Sequence, residues 1–471
     1  MFVSQLKIFI SYLKTYRNEM FLGMAALILT DIFGLAIPWI LKQFIDKLPS
    51  KPTYEELLIF AGLLGLAATF QGFFRFGWRK YIFGPSRKVE FDILNDLFRH
   101  FLKMDSSFYR KRKMGDLLSR ATNDIRSIRD FLGLGLLVLA DCFVVIISCL
   151  TLMLYISPKL TFMTFLPLPL ISILFYLYTK KISESHRIVQ EELANISNLV
   201  QENLSGIRTL HAYVQEDKEK DKFEKQNDIY LSKNMSLTKL YAIFPTALSF
   251  FLGLATLISL WSGGKEVISA NLTLGSFVAF NGYLLMLSWP MMGIGYIFNL
   301  SQKGASAMNR VQEIFSSRSA IESKFGISYK ENFQGALEFQ AVNYQYSQKN
   351  FYLKNINLKI NPGEWIGLTG PIGSGKSTLF KFPLRIIDPT EGKILLDGIS
   401  IEKLPLDTLR KQIGYVEQES FLFSATIREN IAFGINYSDE NAIAEAVFLA
   451  GLEADIGIFP NGLDTMVGEK G

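Results

Sequence analysis

Residues 370–378 read GPIGSGKST, a spacing of two glycines around four residues followed by lysine and a hydroxyl pair. The chemistry this permits is the capture of a polyphosphate. Gly370, Gly373 and Gly375 allow a tight backbone turn that points N–H groups at phosphate oxygens, with Pro371, Ile372 and Ser374 completing the loop. Lys376 is placed to reach the β- and γ-phosphates, the Ser377 hydroxyl suits Mg²⁺, and Thr378 continues into the following helix. Two further residues could join such a site. Tyr346, thirty residues before Lys376, stands at a strand-to-loop transition where an aromatic ring can stack on a nucleobase. Gln418 follows an apolar run, and its amide could coordinate Mg²⁺ or orient a water.

A phosphate loop works only between a strand and a helix, and the flanking sequence predicts both. GALEF (335–339), NINLKI (355–360), EWIGLTG (364–370) and Ile413–Val416 read as strands, and KSTLFKF (376–382) starts a helix whose N-terminus adds partial positive charge. Pro383 cannot donate to the Leu379 carbonyl, so that helix is expected to kink or end near Phe382.

The residues before this region are of another kind. Hydrophobic residues make up 49% of the 471, aromatics 13% and charged residues only 20%, too greasy for an ordinary soluble chain of this length. A bilayer core takes about 20 apolar helical residues, and six runs qualify: Met20–Phe44, Leu57–Phe76, Phe131–Ile156, Leu160–Tyr178, Leu240–Trp261 and Leu274–Leu300. Fourteen Lys/Arg lie between Arg75 and Asp130, against four Lys in the connections 45–57, 157–159 and 262–273 together. The positive-inside rule then makes the long connections, both termini and the phosphate loop cytoplasmic. Cys142 and Cys149 share one apolar run, which excludes a disulfide scaffold. No cleavable secretory signal is apparent, and the first run reads as a retained span.

The long connections keep apolar residues at helical spacing, in VEFDILNDLFRHFLKM (89–104), GDLLSRATNDIRSIRDFLG (115–133) and around NLSGIRTLHAYVQED (203–217). Spans 2 to 5 are therefore expected to continue as stalks beyond the membrane and to turn in short elbows, a form suited to carrying movement from a cytoplasmic motor. Inside the spans, Asp31 and Asp141 are intramembrane acids; Arg75 could neutralise Asp141, or the acids could bind cationic amphipaths.

Together these residues resemble an ATP-binding cassette (ABC) exporter over essentially the whole chain. The resemblance implies a multi-pass α-helical membrane domain of six transmembrane helices followed by an α/β P-loop nucleotide-binding domain, incomplete within 1–471. Its expected boundaries are 1–315 for the membrane domain with stalks, 316–332 for a linker and 333–471 for the cassette. FYRKRKMGDLLSRATNDI (108–125) is similar to the family's first intracellular loop, with a coupling helix near Phe108–Gly115, and Gly206–Val214 to the one that docks on a partner subunit. Tyr346 matches the adenine-stacking aromatic, 370–378 the Walker A motif, IDPTEGKILLDG (387–398) the strand pair after it, and Gln418 the Q-loop glutamine. TMVGEKG (465–471) matches the segment before the family's signature sequence, with Lys470 where Arg is usual, and Pro383 replaces a usual aliphatic.

The implied function is ATP-driven export by a half-transporter that pairs with a second half, homo- or heterodimeric, in the plasma membrane. Its expected ligands are ATP, Mg²⁺ held by Ser377 and Gln418, and a small amphipathic or lipid-like substrate; nucleic acid is not an expected partner. The alternative is an ATP-gated channel or a regulatory, non-hydrolysing subunit; a soluble P-loop kinase fused to an anchor would not need six spans and stalks. No catalytic residue is assigned within 1–471. The family's signature motif, Walker B aspartate, catalytic glutamate and switch histidine would follow Gly471, and His100, His186 and His211 all precede the cassette. The segment 1–471 by itself is accordingly expected to bind nucleotide weakly and without turnover.

Overall fold

The computed structural model describes residues 11–166, 168–322, 333–347, 350–418, 421–435 and 439–468, with the backbone alone at 168–177, 179–180, 244–245, 248, 292, 294–295, 346–347 and 350–352. Most of the expected linker (323–332) and Lys470 lie outside the described residues. The chain divides into two compact units. One holds the residues up to Lys103 together with Arg112–Arg318; the other joins Met104–Lys111 to the residues from Ser319 onward.

The first unit is helical throughout. Its opening helices, Arg17–Lys47 and Tyr54–Lys103, form a hairpin so close that a Cβ on Gly23 would sit 2.5 Å from Ile82 Cγ1. Small residues permit this backbone approach, which in lipid takes the place of a hydrophobic driving force. Among the described residues, four stretches are long and apolar enough to cross a membrane: Arg17–Ser50, Tyr54–Lys103, Met114–Ile156 and Leu274–Phe315. The run expected as a fourth span falls on helices Pro158–Phe165 and Leu168–Ser205, with residue 167 between them outside the described residues, and the fifth lies within the helix Glu216–Ile268.

The last apolar stretch is not one regular helix. Leu274–Met286 and Ser288–Phe315 meet at Leu287. Pro290, which has no N–H to offer the Met286 carbonyl, lies just beyond the join.

Two of the expected stalks are continuous helix, whereas the segment 114–135 alternates α-helix with π-helical stretches at Arg120–Asp124 and Phe131–Gly135. Tyr54–Lys103 runs for 50 residues and Glu216–Ile268 for 53, each about 75–80 Å at 1.5 Å per residue. The stalk regions bury apolar residues such as Val89, Ile93, Leu97, Ile128 and Val311 and are also laced by polar contacts. Tyr12 and Tyr16 donate to Asp96 and Asp92 at 2.9 and 2.8 Å, and Lys88 pairs with Glu19 at 2.7 Å. Buried Asp124 accepts from Nε and Nη2 of Arg310 at 2.7 and 2.5 Å, while Arg120 reaches Glu313 at 2.9 Å. The second elbow is also formed: a six-residue helix Ile207–Ala212 between Gly206 and Val214, the latter at φ 51°.

In the second unit, β1 (Leu337–Ser347), β2 (Asn350–Ile360), β3 (Glu391–Leu396) and β4 (Ile399–Ser400) build one antiparallel sheet in the order β2-β1-β3-β4. The β3–β4 turn is Asp397-Gly398 with both φ positive, at 49° and 79°, a favoured hairpin pairing. The Asp397 carboxylate then accepts the N–H groups of Gln334, Gly335 and Ala336, tying down the start of the cassette. One face of the sheet, with Phe339, Val342, Tyr344, Ile394 and Leu396, closes over Phe382, Ile387, Leu404 and Leu409.

Two expected strands are absent. Residues 364–370 and 413–416 are irregular, and Trp365 is 98% and Val416 93% exposed. Their alternation of apolar residues is strand-like, yet a strand exists only where a neighbour completes its ladder, and neither segment pairs with another strand among the described residues.

The segment 104–111 is held in the second unit by its own chemistry. Asp105 Oδ1 caps the helix Ser106–Arg110, accepting from Ser107 N at 2.8 Å and Phe108 N at 3.0 Å, and Oδ2 accepts the Ala320 N–H at 2.5 Å. Ser106 Oγ donates to the Ile386 carbonyl at 3.0 Å. Burial opposes the Asp105 charge, but the hydrogen bonds from Ser107, Ala320 and Phe108 outweigh it and hold the carboxyl below its ordinary 3.8. A carboxyl that titrates lower folded than unfolded contributes stability above the unfolded value and loses it as pH falls through the folded one. Asp105→Ala should therefore lower the stability of this unit by about 1 kcal/mol at pH 7. The difference from the native protein should shrink below about pH 4, as read by thermal unfolding against pH.

Candidate nucleotide-binding site

The phosphate loop is anchored from below and open above. Phe382, fully buried, meets Tyr344 edge-on at 5.4 Å between ring centroids, which fixes the segment after the loop to the sheet. Gly375 lies over Leu353 of β2: a Cβ there would fall 2.8 Å from Leu353 Cδ2. Gly373 and Gly375 take φ of 81° and 92°, left-handed values that admit glycine without strain. Gly375 is the N-cap of the helix Lys376–Leu379, and its carbonyl accepts from Thr378 and Leu379 N–H, both at 3.0 Å.

The helix is shorter than expected. Regular α-helix stops at Leu379, and the chain continues in tight turns. The Leu379 carbonyl, with no N–H from Pro383 to accept, takes the Phe382 N–H at 3.3 Å instead. The turns close in a Schellman arrangement: Ile386 N–H to the Lys381 carbonyl at 3.1 Å and Arg385 N–H to the Phe382 carbonyl at 2.8 Å, with Arg385 at φ 48°. Buried Arg385 is held there by Asp388 at 2.8 Å. The same Ile386 presents the carbonyl that receives Ser106, so the phosphate loop and the 104–111 segment are attached to opposite ends of one short stretch.

Lys376 folds back over its own loop, its Nζ donating to the carbonyls of Gly370 at 2.7 Å and Pro371 at 2.8 Å and lying 3.5 Å from Ser374 Oγ. Its charge thus rests on two neutral acceptors and can be transferred to an anion without breaking a salt bridge. Ser377 is exposed at the first turn, Thr378 is buried, and Ile372 is fully exposed at the loop tip. Glycine-lined N–H groups, an ammonium held only by neutral acceptors and an accessible hydroxyl fit a polyphosphate with its cation.

The other expected contributors are not gathered there. Tyr346 stands in β1 where the backbone alone is described, so its stacking role lies outside the described side chains. Gln418 occupies an exposed bend after the irregular 413–417 stretch, and no hydrogen bond joins it to 370–378 among the described residues. Sequence reasoning passed over Leu353, Asp105 and the Ile386–Asp388 receiver. Asp105 alone carried a signal, as an N-cap type directly before a helical stretch.

Gly375→Ala tests the loop. Both the left-handed φ and the 2.8 Å approach to Leu353 oppose a methyl group. Nucleotide affinity should fall by about 5- to 150-fold, from strain of about 1–3 kcal/mol, as measured by titration with a fluorescent ATP analogue.

Comparison with known proteins follows the order of the two regions. The family described as ABC transporter transmembrane region matches residues 20–291, and that described as ABC transporter matches 353–460. A probable multidrug resistance ABC transporter ATP-binding/permease protein of Bacillus subtilis is 34% identical over 464 residues, which are 98% of this chain and 79% of that protein. The multidrug resistance-like ATP-binding protein MdlA of Escherichia coli is 29% identical over 98% of this chain and 77% of its own. An ATP-dependent lipid A-core flippase of Desulfotalea psychrophila is 29% identical over 97% and 80%.

Proposed function

Because this chain belongs to the ABC transporter family, with membrane region and ATP-binding cassette on one polypeptide, we propose that it is one half of a dimeric exporter that moves an amphipathic or lipid-like substrate across the plasma membrane at the expense of ATP. The observation that carries this reading is the attachment of 104–111, a connection between membrane helices, to the Ile386–Asp388 stretch that also ends the phosphate-loop segment.

Residues 1–315 form the membrane domain with six spans, 316–332 the linker and 333–471 the cassette portion, with the cassette and both termini cytoplasmic. The backbone N–H groups of 370–375 and the Lys376 ammonium hold the phosphates. The Ser377 hydroxyl, with Gln418, holds Mg²⁺, and Tyr346 stacks on the base. When bound, ATP supplies the free energy of a phosphoryl transfer. The loop orients its oxygens and neutralises their charge, and the Ser106–Ile386 bond passes any displacement of the loop's rear end to the membrane helices on either side of 104–111. The second elbow, Gly206–Val214, with Tyr213 and Val214 mostly exposed, docks on the partner half. Such a device works as a population shift, favouring whichever state offers contacts that the other lacks.

The test is transport by the assembled transporter in inside-out vesicles, with a fluorescent amphipath outside and ATP added. Accumulation against a gradient, lost with a non-hydrolysable analogue, is expected. Flux that only dissipates a gradient, and that the analogue supports equally, would make the protein an ATP-gated channel instead.

A further inference from the structure

A second site lies within the membrane unit, in a cavity of about 450 Å³ lined by Asp31, Gln71, Arg75, Trp78, Asp141 and Trp289, among others. Asp31 is only 8% exposed, and its Oδ2 is enclosed without a hydrogen-bond partner among the described residues. Its carboxyl lines this cavity together with that of Asp141, on a helix far away in sequence. Asp141 in turn accepts from Trp289 Nε1 at 3.3 Å. Trp289 stands beside the join at Leu287 and before Pro290, and irregular backbone at membrane depth is tolerated where it lines a polar cavity.

Two carboxyls that share one poorly solvated cavity are not readily both ionised. A single proton between them gives the pair one negative charge and leaves an acceptor unsatisfied. The helix Tyr54–Lys103 faces the pair with Arg75 and Arg79, at exposed positions, and Arg79 lies over the Trp78 ring at 5.5 Å. Neither arginine closes a salt bridge on the dyad among the described residues. From the Asp141 helix come the thiols Cys142 and Cys149, and from Leu274–Met286 comes Tyr283, its hydroxyl committed to the Leu35 carbonyl at 3.0 Å. A group that brings its own positive charge and N–H donors therefore satisfies what the protein leaves open.

Resting on the exporter reading, we propose that the Asp31–Asp141 dyad is the recognition site for the protonated amine of an amphipathic substrate, which enters by displacing the shared proton to water. The balance is one ammonium bound for one proton released. The indole rings of Trp78 and Trp289 supply aromatic surface for the apolar part.

The experiment uses the nucleotide-free, full-length transporter in lipid nanodiscs, titrated with dansylcadaverine and with its N-acetyl derivative, which keeps the shape and removes the charge. The amine should bind about 10- to 100-fold more tightly than the amide, the range expected for a charged hydrogen bond, and should release about one proton per amine in weak buffer. Asp31→Asn and Asp141→Asn should each abolish the proton release, and the Asp31→Asn/Asp141→Asn double variant should abolish the preference for the amine over the amide. Asp31→Glu should retain the preference, which separates charge from folding. Equal affinity for amine and amide, or a preference that survives in the double variant, overturns the site; if the same proteins reconstituted in sealed vesicles still accumulate substrate on addition of ATP, the exporter reading stands without it. Amine preference with no ATP-driven accumulation would sink the exporter reading instead and leave the dyad as a binding site.

Discussion

Lys376→Ala should reduce ATP turnover by the assembled transporter by about 10²–10³-fold and abolish accumulation of substrate. The ammonium is held only by the carbonyls of Gly370 and Pro371 and lies near Ser374, all in its own loop. Its removal therefore disturbs no element beyond 370–378, and thermal unfolding should change little. What is lost is a positive charge directed at the place where negative charge builds up during phosphoryl transfer, and such a group contributes about 3–4 kcal/mol. Nucleotide affinity should fall less, by about tenfold, because the backbone N–H groups remain. Steady-state phosphate release alongside equilibrium binding separates the two effects.

Phe108→Ala should do the reverse, sparing ATP turnover while transport falls at least about tenfold. Phe108 is 5% exposed, on the short helix capped by Asp105, and its ring meets Tyr109 edge-on at 5.2 Å. Truncating a buried phenylalanine costs about 3–5 kcal/mol. That loss falls on the seating of 104–111 and leaves the Gly370–Thr378 backbone unchanged. A loss of this size is enough to move a docked equilibrium by more than a hundredfold. Transport and phosphate release measured on the same vesicles give the coupling ratio directly; a parallel fall in both would place Phe108 in the cassette's own stability instead.

How much of this could be read beforehand depends on the range over which each feature is determined. The phosphate loop is a local object, and residue types at 370–378 sufficed, since glycine is needed where φ is positive at Gly373 and Gly375. The stalks and elbows were legible for the same reason, as helical periodicity and a turn at Gly206–Val214 are properties of neighbouring residues. Strands at 364–370 and 413–416 were not correctly foreseen, because a ladder needs a partner that an apolar pattern does not specify. The helix after the loop was foreseen to fail near Pro383, but the retreat of regular helix to Leu379 depends on the Schellman closure at Arg385, whose left-handed φ no side-chain rule announces. The meeting of Asp31 and Asp141 in one cavity and the seat of Ser106 on Ile386 join residues distant in sequence, and only the folded chain brings them together.

The central claim is that a nucleotide at 370–378 acts on the membrane helices through 104–111. Hydrogen–deuterium exchange at the amides of 104–111 in the assembled transporter, with and without ATP, tests it most directly. The exchange should change on addition of ATP in the native protein and remain unchanged in Lys376→Ala at ATP concentrations too low to load the variant. If exchange at 104–111 is the same with the nucleotide site empty and saturated, the nucleotide does not act through this segment and the account is wrong.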